Sequence, residues 1–211
     1  MITIEQISQT AEKLMASAPE GDPLDTVSAA LIDFGVAASV TALDSAAIER
    51  TMNTAITAGA TIAQIEEVIA LVSGLGVHSL MMTMAALQAR SGDLAPLDAE
   101  RQALWARHVG DDPYWAGFER EFPGFLDAML RLSPATFEGF FRYCAIPWAN
   151  NHVRARTKEL VALACDASPS HRFMPGFRLH MANALKLGIG KRAIRETLAI
   201  AARAPIHQGV G

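Results

Sequence analysis

The sequence predicts an all-α protein built from two copies of one helical unit, and three observations carry that prediction. The chain is rich in Ala, Leu and Met. Its apolar residues recur three and four positions apart, while the alternation expected of strands is scarce. Residues 30–80 can also be laid on residues 159–209 without a gap, a shift of 129. An apolar share of 51% is enough to bury a sizeable core and excludes a disordered chain.

Taken in order, the first helix is expected over 4–17, opened by Thr3 and Gln6 at capping-box spacing. Helices over 25–38 and 45–57 follow, and Gly59 closes the second of them. Thr61 and Gln64 repeat the capping box before a helix over 61–73, and a further helix is expected over 78–90. Ser91 to Pro96 and Gly110 to Pro113 read as linkers around helices at 98–108 and 112–120. The last helices are expected over 134–145, 153–166, 174–187 and 190–202, with Gly188 as a stop.

The matches between the two copies fall on structural punctuation. Leu31 meets Leu160, Ala38-Ser39 meets Ala167-Ser168, Gly59 meets Gly188, Glu67 meets Glu196 and His78 meets His207. Residues 1–92 are therefore assigned to a diverged N-terminal repeat, 93–132 to a helical linker, and 133–211 to a C-terminal repeat that carries the site.

Charge and cysteine usage narrow the function. Eighteen basic and 22 acidic residues give a net charge of −4 with no Lys/Arg block, so no nucleic-acid partner is expected. Cys144 and Cys165 are the two cysteines, too few and too far apart for a disulfide framework or a CxxC motif. With no basic start or long apolar run at residues 1–5, a cytoplasmic setting is expected. No Asp, Glu, Lys or Arg lies between Glu67 and Arg90, yet the polar residues there and the Gly74-Leu75-Gly76 break point to two buried helices, not a membrane span. Mean hydropathy of +0.20 is high for a fully wetted surface, and a homo-oligomer is expected.

The residues able to carry chemistry concentrate between 158 and 180. His180 falls on the stripe Phe177, His180, Ala184, Leu187, the buried face of its helix, where an imidazole suits proton transfer near neutral pH. Glu159, on the preceding helix, is the candidate that orients it. His171 and Arg178 flank a loop-to-helix turn and could hold a carboxylate substrate. His207 is a further substrate-binding candidate, although a capping or packing role explains both it and His78. Asp166 could tune the site, but bonding the backbone of the Ser168-Pro169 turn is the favoured reading. His108 and His152 receive no role, and Trp105, Trp115, Trp148, Phe140, Phe141 and Tyr143 read as core or interface. His171 and His180 lie nine apart, with no His-x3-His pair and no carboxylate at ligand spacing on the same helix, so no metal is expected. The first copy has Ala42, Glu49 and Thr51 where the second has His171, Arg178 and His180, so such a site would exist once per chain.

The run Lys158 to Ala164, a polar loop, then His180, Ala184 and Gly188, with a helix from Lys191, resembles the carboxymuconolactone decarboxylase family, which includes the alkylhydroperoxidase D-like proteins. The resemblance is good over 154–209 and fainter over 25–90. It implies an all-helical, oligomeric fold, with the family's helix glutamate at Glu159 and its site histidine at His180. In the peroxidase branch a CxxC pair precedes the histidine by seven and four residues, where this chain has Phe173 and Gly176. Thiol peroxidase chemistry is thus disfavoured. The decarboxylase branch implies acid–base chemistry without a cofactor on a small carboxylated lactone or related organic acid. A non-catalytic oligomeric subunit or small-ligand binder is the alternative.

Overall fold

In the computed structural model, which describes residues 2–91 and 96–209, the secondary structure is α-helical apart from one short 3-10 turn. The chain divides into two compact units, one formed by Met1–Ser73 with Pro147–Gly211 and the other by Gly74–Ile146. The cuts at 73/74 and 146/147 differ from the expected boundaries at 92/93 and 132/133, and residues 92 to 95, with the first of those boundaries, lie outside the described residues.

The first unit holds α1 (Ile4–Leu14), α2 (Thr26–Ala38), α3 (Ser45–Thr57), α4 (Ile62–Ser73), α10 (Ala155–Ala167), α11 (Met174–Lys186) and α12 (Lys191–Ala201). Thr3 and Gln6 form the expected capping box at α1, and Thr61 and Gln64 exchange the same pair of bonds before α4. Gly59 and Gly188 follow α3 and α11 at φ +101° and +73°, the left-handed region that favours glycine after a helix.

Helices α2 and α10 form the centre of this unit. Their hydroxyls Ser28 Oγ and Thr157 Oγ1 meet at 3.0 Å, and Cys165 Sγ lies 3.7 Å from the Gly35 carbonyl. Residues 157 to 167 are buried throughout, because α2, α4, α11 and α12 all pack against α10. The shift of 129 also carries α2 onto α10 and α3 onto α11, end to end. It carries Leu43 onto Arg172 too, and both have positive φ, +43° and +50°. Glu67 of α4 accepts from the Val153 amide ahead of α10, while Glu196 of α12 accepts from the Leu24 amide ahead of α2. Residues 24 and 153 are again 129 apart.

One buried ion pair lies below the start of α10. Lys158 and Glu67 are 3% and 1% exposed, and the ammonium meets the Glu67 carboxylate. Lys158 Nζ also donates to the Pro147 and Asn150 carbonyls at 2.5 and 2.8 Å, and sits 5.5 Å from the Trp148 ring centroid. Glu67 Oε2 takes the His152 and Val153 amides at 2.9 and 3.0 Å. Both charges are therefore bonded, as burial requires.

The second unit contains the 3-10 turn Gly74–Val77, α5 (His78–Gln88), α6 (Ala99–His108), α7 (Pro113–Glu121), α8 (Phe125–Leu132) and most of α9 (Pro134–Ala149). Its core is aromatic: Phe118, Phe125 and Phe137 are buried, and His108 stacks on Phe141 at 4.8 Å. Two expectations fail here. Helix α8 lies where none was expected, an eight-residue segment fenced by Pro123-Gly124 and by Ser133-Pro134. Helix α5 was expected to be buried, yet none of its residues is fully so, because its apolar residues spread around the helix instead of gathering on one face. Helical residues 62–88 are long and apolar enough to cross a membrane by length and composition. The 3-10 turn breaks that run after α4, whose Ile65, Glu67, Val68 and Val72 are buried.

Candidate functional site

The site is built on α10 and α11. Glu159 and Asp166 are seven residues apart, two helical turns, and so share a face of α10. His180 stands on α11, anchored by Phe177 and Ala184, both fully buried one turn to either side. His180 Nδ1 meets Glu159 Oε2 at 2.7 Å. Asn183 donates from Nδ2 to Glu159 Oε1 at 3.2 Å, so each oxygen of this carboxylate has a fixed partner.

Nε2 on the other side of the ring lies 4.0 Å from Asp166 Oδ2, and Asp166 Oδ1 lies 3.6 Å from His171 Nε2. The four groups form one string: Glu159, His180, Asp166, His171. Both imidazoles are partly accessible, at 17% each, whereas the Asp166 side chain is fully enclosed. His171 stacks on Phe173 at 5.4 Å. Gly176 allows this arrangement, since a Cβ there would come within 2.3 Å of Asp166 Oδ2. The carboxyl thus occupies side-chain space at the first turn of α11.

Electrostatics separates these groups. Burial opposes charge on His180, but the Glu159 hydrogen bond and the nearby Glu159 and Asp166 charges outweigh it, and its pKa rises above 6.5. Burial raises Asp166 to about 7 against a smaller lowering by His180. Burial alone lowers His171. Burial also pushes the Cys144 thiol up to about 11 and raises that of Cys165, so neither provides thiolate at neutral pH.

The Asp166 shift has a sign that can be tested. Its folded value lies above the ordinary 3.8, so its contribution to stability is complete below that pH and is lost as pH rises to about 7. Relative to Asp166→Asn, the wild type is expected to lose up to about 1.4 kcal/mol per pH unit across that interval. Urea unfolding of both proteins at several pH values between 4 and 8 measures the difference. Parallel curves would contradict the burial argument.

The structure brings Glu159, His171 and His180 together but not the other two expected residues. Arg178 is two positions from His180 and so points elsewhere on α11, into a groove against α1 lined by Ile2, Gln6, Gln9, Thr10, Lys13 and Met174. His207 Nδ1 pairs with the Ala42 carbonyl at 3.0 Å, a packing contact. Asn183 is an addition, and Asp166, for which the turn was the favoured reading, also lies at the site. Asn183, three residues after His180, could have been found from its helical spacing, and Asp166 from its place two turns after Glu159. The turn that Asp166 was expected to serve takes its backbone carbonyl instead, which accepts from Phe173 N at 2.9 Å.

The all-helical fold is similar to that of carboxymuconolactone decarboxylase-like proteins. Residues 134–205 match the model of the carboxymuconolactone decarboxylase family, the resemblance read from the sequence. The chain is also similar to the crystal structure of a candidate gamma-carboxymuconolactone decarboxylase subunit from Burkholderia xenovorans LB400. That similarity has a TM-score of 0.71 and 25% identity, and it covers 95% of this chain and 90% of the other. None of the curated proteins compared with the sequence matches it.

Proposed function

We propose that this carboxymuconolactone decarboxylase-like protein performs acid–base chemistry, without a cofactor, on a small carboxylated lactone or related organic acid, with decarboxylation as the reaction. The 2.7 Å contact between His180 Nδ1 and Glu159 Oε2 carries the reading. It orients the ring and favours the imidazolium, so the proton on Nε2 is kept to higher pH than in an ordinary imidazole. In the reaction, the bond from carbon to the carboxylate breaks and its electron pair passes into the conjugated lactone. Carbon dioxide leaves, and the Nε2 proton is delivered to carbon. His180 is then neutral and must regain one proton before the next turnover. His171 lies at the accessible edge of the cluster, where it can contact substrate.

The functional site belongs to one copy of the proposed duplication. The positions 129 residues before Glu159, Asp166, His171 and His180 are Ala30, Ala37, Ala42 and Thr51, which supply no acid or base. The protein is also read as a cytoplasmic homo-oligomer. Its cysteines are free, α5 exposes Met82 and Leu87, and the Burkholderia neighbour is described as a subunit.

The ultraviolet decay of 4-carboxymuconolactone tests the reaction. Turnover by the folded wild type is expected. Its absence would leave the non-catalytic subunit or small-ligand binder.

A further inference from the structure

We propose that Asp166 is a proton-relay residue that restores the acid form of His180 after each turnover, drawing the proton from His171. The inference rests on the acid–base reading above for what consumes the proton. The relay itself is a property of the resting protein.

Three observations carry it. Asp166 presents one oxygen to each imidazole, Oδ1 to His171 at 3.6 Å and Oδ2 to His180 at 4.0 Å. It is fully enclosed, while both histidines reach the surface at 17%, so the carboxyl bridges two accessible bases from beneath. Space for it exists only because residue 176 lacks a Cβ. Burying a carboxyl costs stability, and the positions related by 129 residues replace Asp166, His171 and His180 together, by Ala37, Ala42 and Thr51. The buried carboxyl and its two imidazoles therefore occur together in this copy and are absent together from the other.

The proton balance is simple. After His180 Nε2 has given its proton to carbon, the Asp166 O–H bond breaks and an N–H bond forms on Nε2. The Asp166 carboxylate then takes a proton from His171, which is recharged by water. Both gaps exceed a direct hydrogen bond, so each transfer uses a small side-chain rotation that closes it. Burial raises Asp166 to about 7, so its carboxyl can hold the transferred proton near neutral pH.

Several titratable groups on α10 and the helices packed on it are engaged elsewhere. On the same helix, the Cys165 thiol is kept protonated by burial and by Asp166 itself. Glu159 holds the far nitrogen of His180. Of the helices packed on α10, α4 directs Glu67 to Lys158, α12 directs Glu196 to Leu24 N, and α2 uses Asp25 to cap itself.

Histidine side-chain nitrogen NMR on the free protein tests the relay without substrate. His171 and His180 are expected to titrate with a shared second inflection, which Asp166→Asn removes from both. Unchanged titration curves would overturn the proposal, whether or not the lactone is a substrate. In the turnover assay, Asp166→Asn is expected to lower kcat about tenfold or more with little change in KM, and added imidazole buffer is expected to restore it. A loss that buffer does not restore would mark a structural role and overturn the relay. If Asp166→Asn does not fold, His171→Gln replaces it, with the same buffer-dependent loss expected and the same result overturning the proposal.

Discussion

Lys158→Met is expected to destabilise the protein by about 3–5 kcal/mol, the cost of leaving a buried partner charge uncompensated. Its partner Glu67 is 1% exposed, so the lost ammonium has no water to replace it. The variant also vacates the Pro147 and Asn150 carbonyls and the face of Trp148. Glu67→Gln should cost a similar amount, because the same carboxylate ties down the His152 and Val153 amides ahead of α10. The double variant should lose less than the sum of the two, since no lone charge is left inside. Urea denaturation of the three variants gives these numbers. Losses below about 1 kcal/mol for the single variants would mean that water reaches the pair.

Glu159→Gln is expected to lower turnover by about two to three orders of magnitude with the protein still folded. Gln can still present an oxygen to Nδ1, and Asn183 can still bond it, so the geometry survives while the charge is lost. The imidazolium is then no longer favoured, and His180 falls back from its raised value. Acid catalysis by the wild type should persist above pH 6.5 and fade as pH rises through the His180 value. The variant should fade at lower pH. A pH–rate profile of both proteins checks this, and coincident descending limbs would show that Glu159 does not set the charge on His180.

Helix positions were legible where local chemistry speaks for itself. The capping boxes at Thr3 and Thr61 form, and Gly59 and Gly188 adopt the positive φ that a helix stop needs. Helix α8 was missed because an eight-residue segment between Pro123-Gly124 and Pro134 is too short to show a helical period. The failure at α5 is of another kind, since apolar content alone does not say that a helix is covered.

The Glu159–His180 pair was legible because His180 falls on the inward face of its helix and the family resemblance places a glutamate at Glu159 on the helix before it. Arg178 misled because closeness in sequence is not closeness on a helix, where residues two apart point in opposed directions. Asp166 was assigned to the turn it precedes. Only the packing of α11 on α10, with Gly176 at the crossing, turns that side chain toward two histidines. This proximity comes from tertiary packing, and no local pattern encodes it.

The central claim is a proton-transfer site that depends on His180 and on no thiol. The most direct test is the decay of 4-carboxymuconolactone measured side by side for the wild type, His180→Gln and the double variant Cys144→Ser/Cys165→Ser, each confirmed folded. The account predicts turnover in the wild type and the cysteine-free protein, and a loss of at least about a hundredfold in His180→Gln. Activity that survives without His180, or disappears with the cysteines, would contradict it.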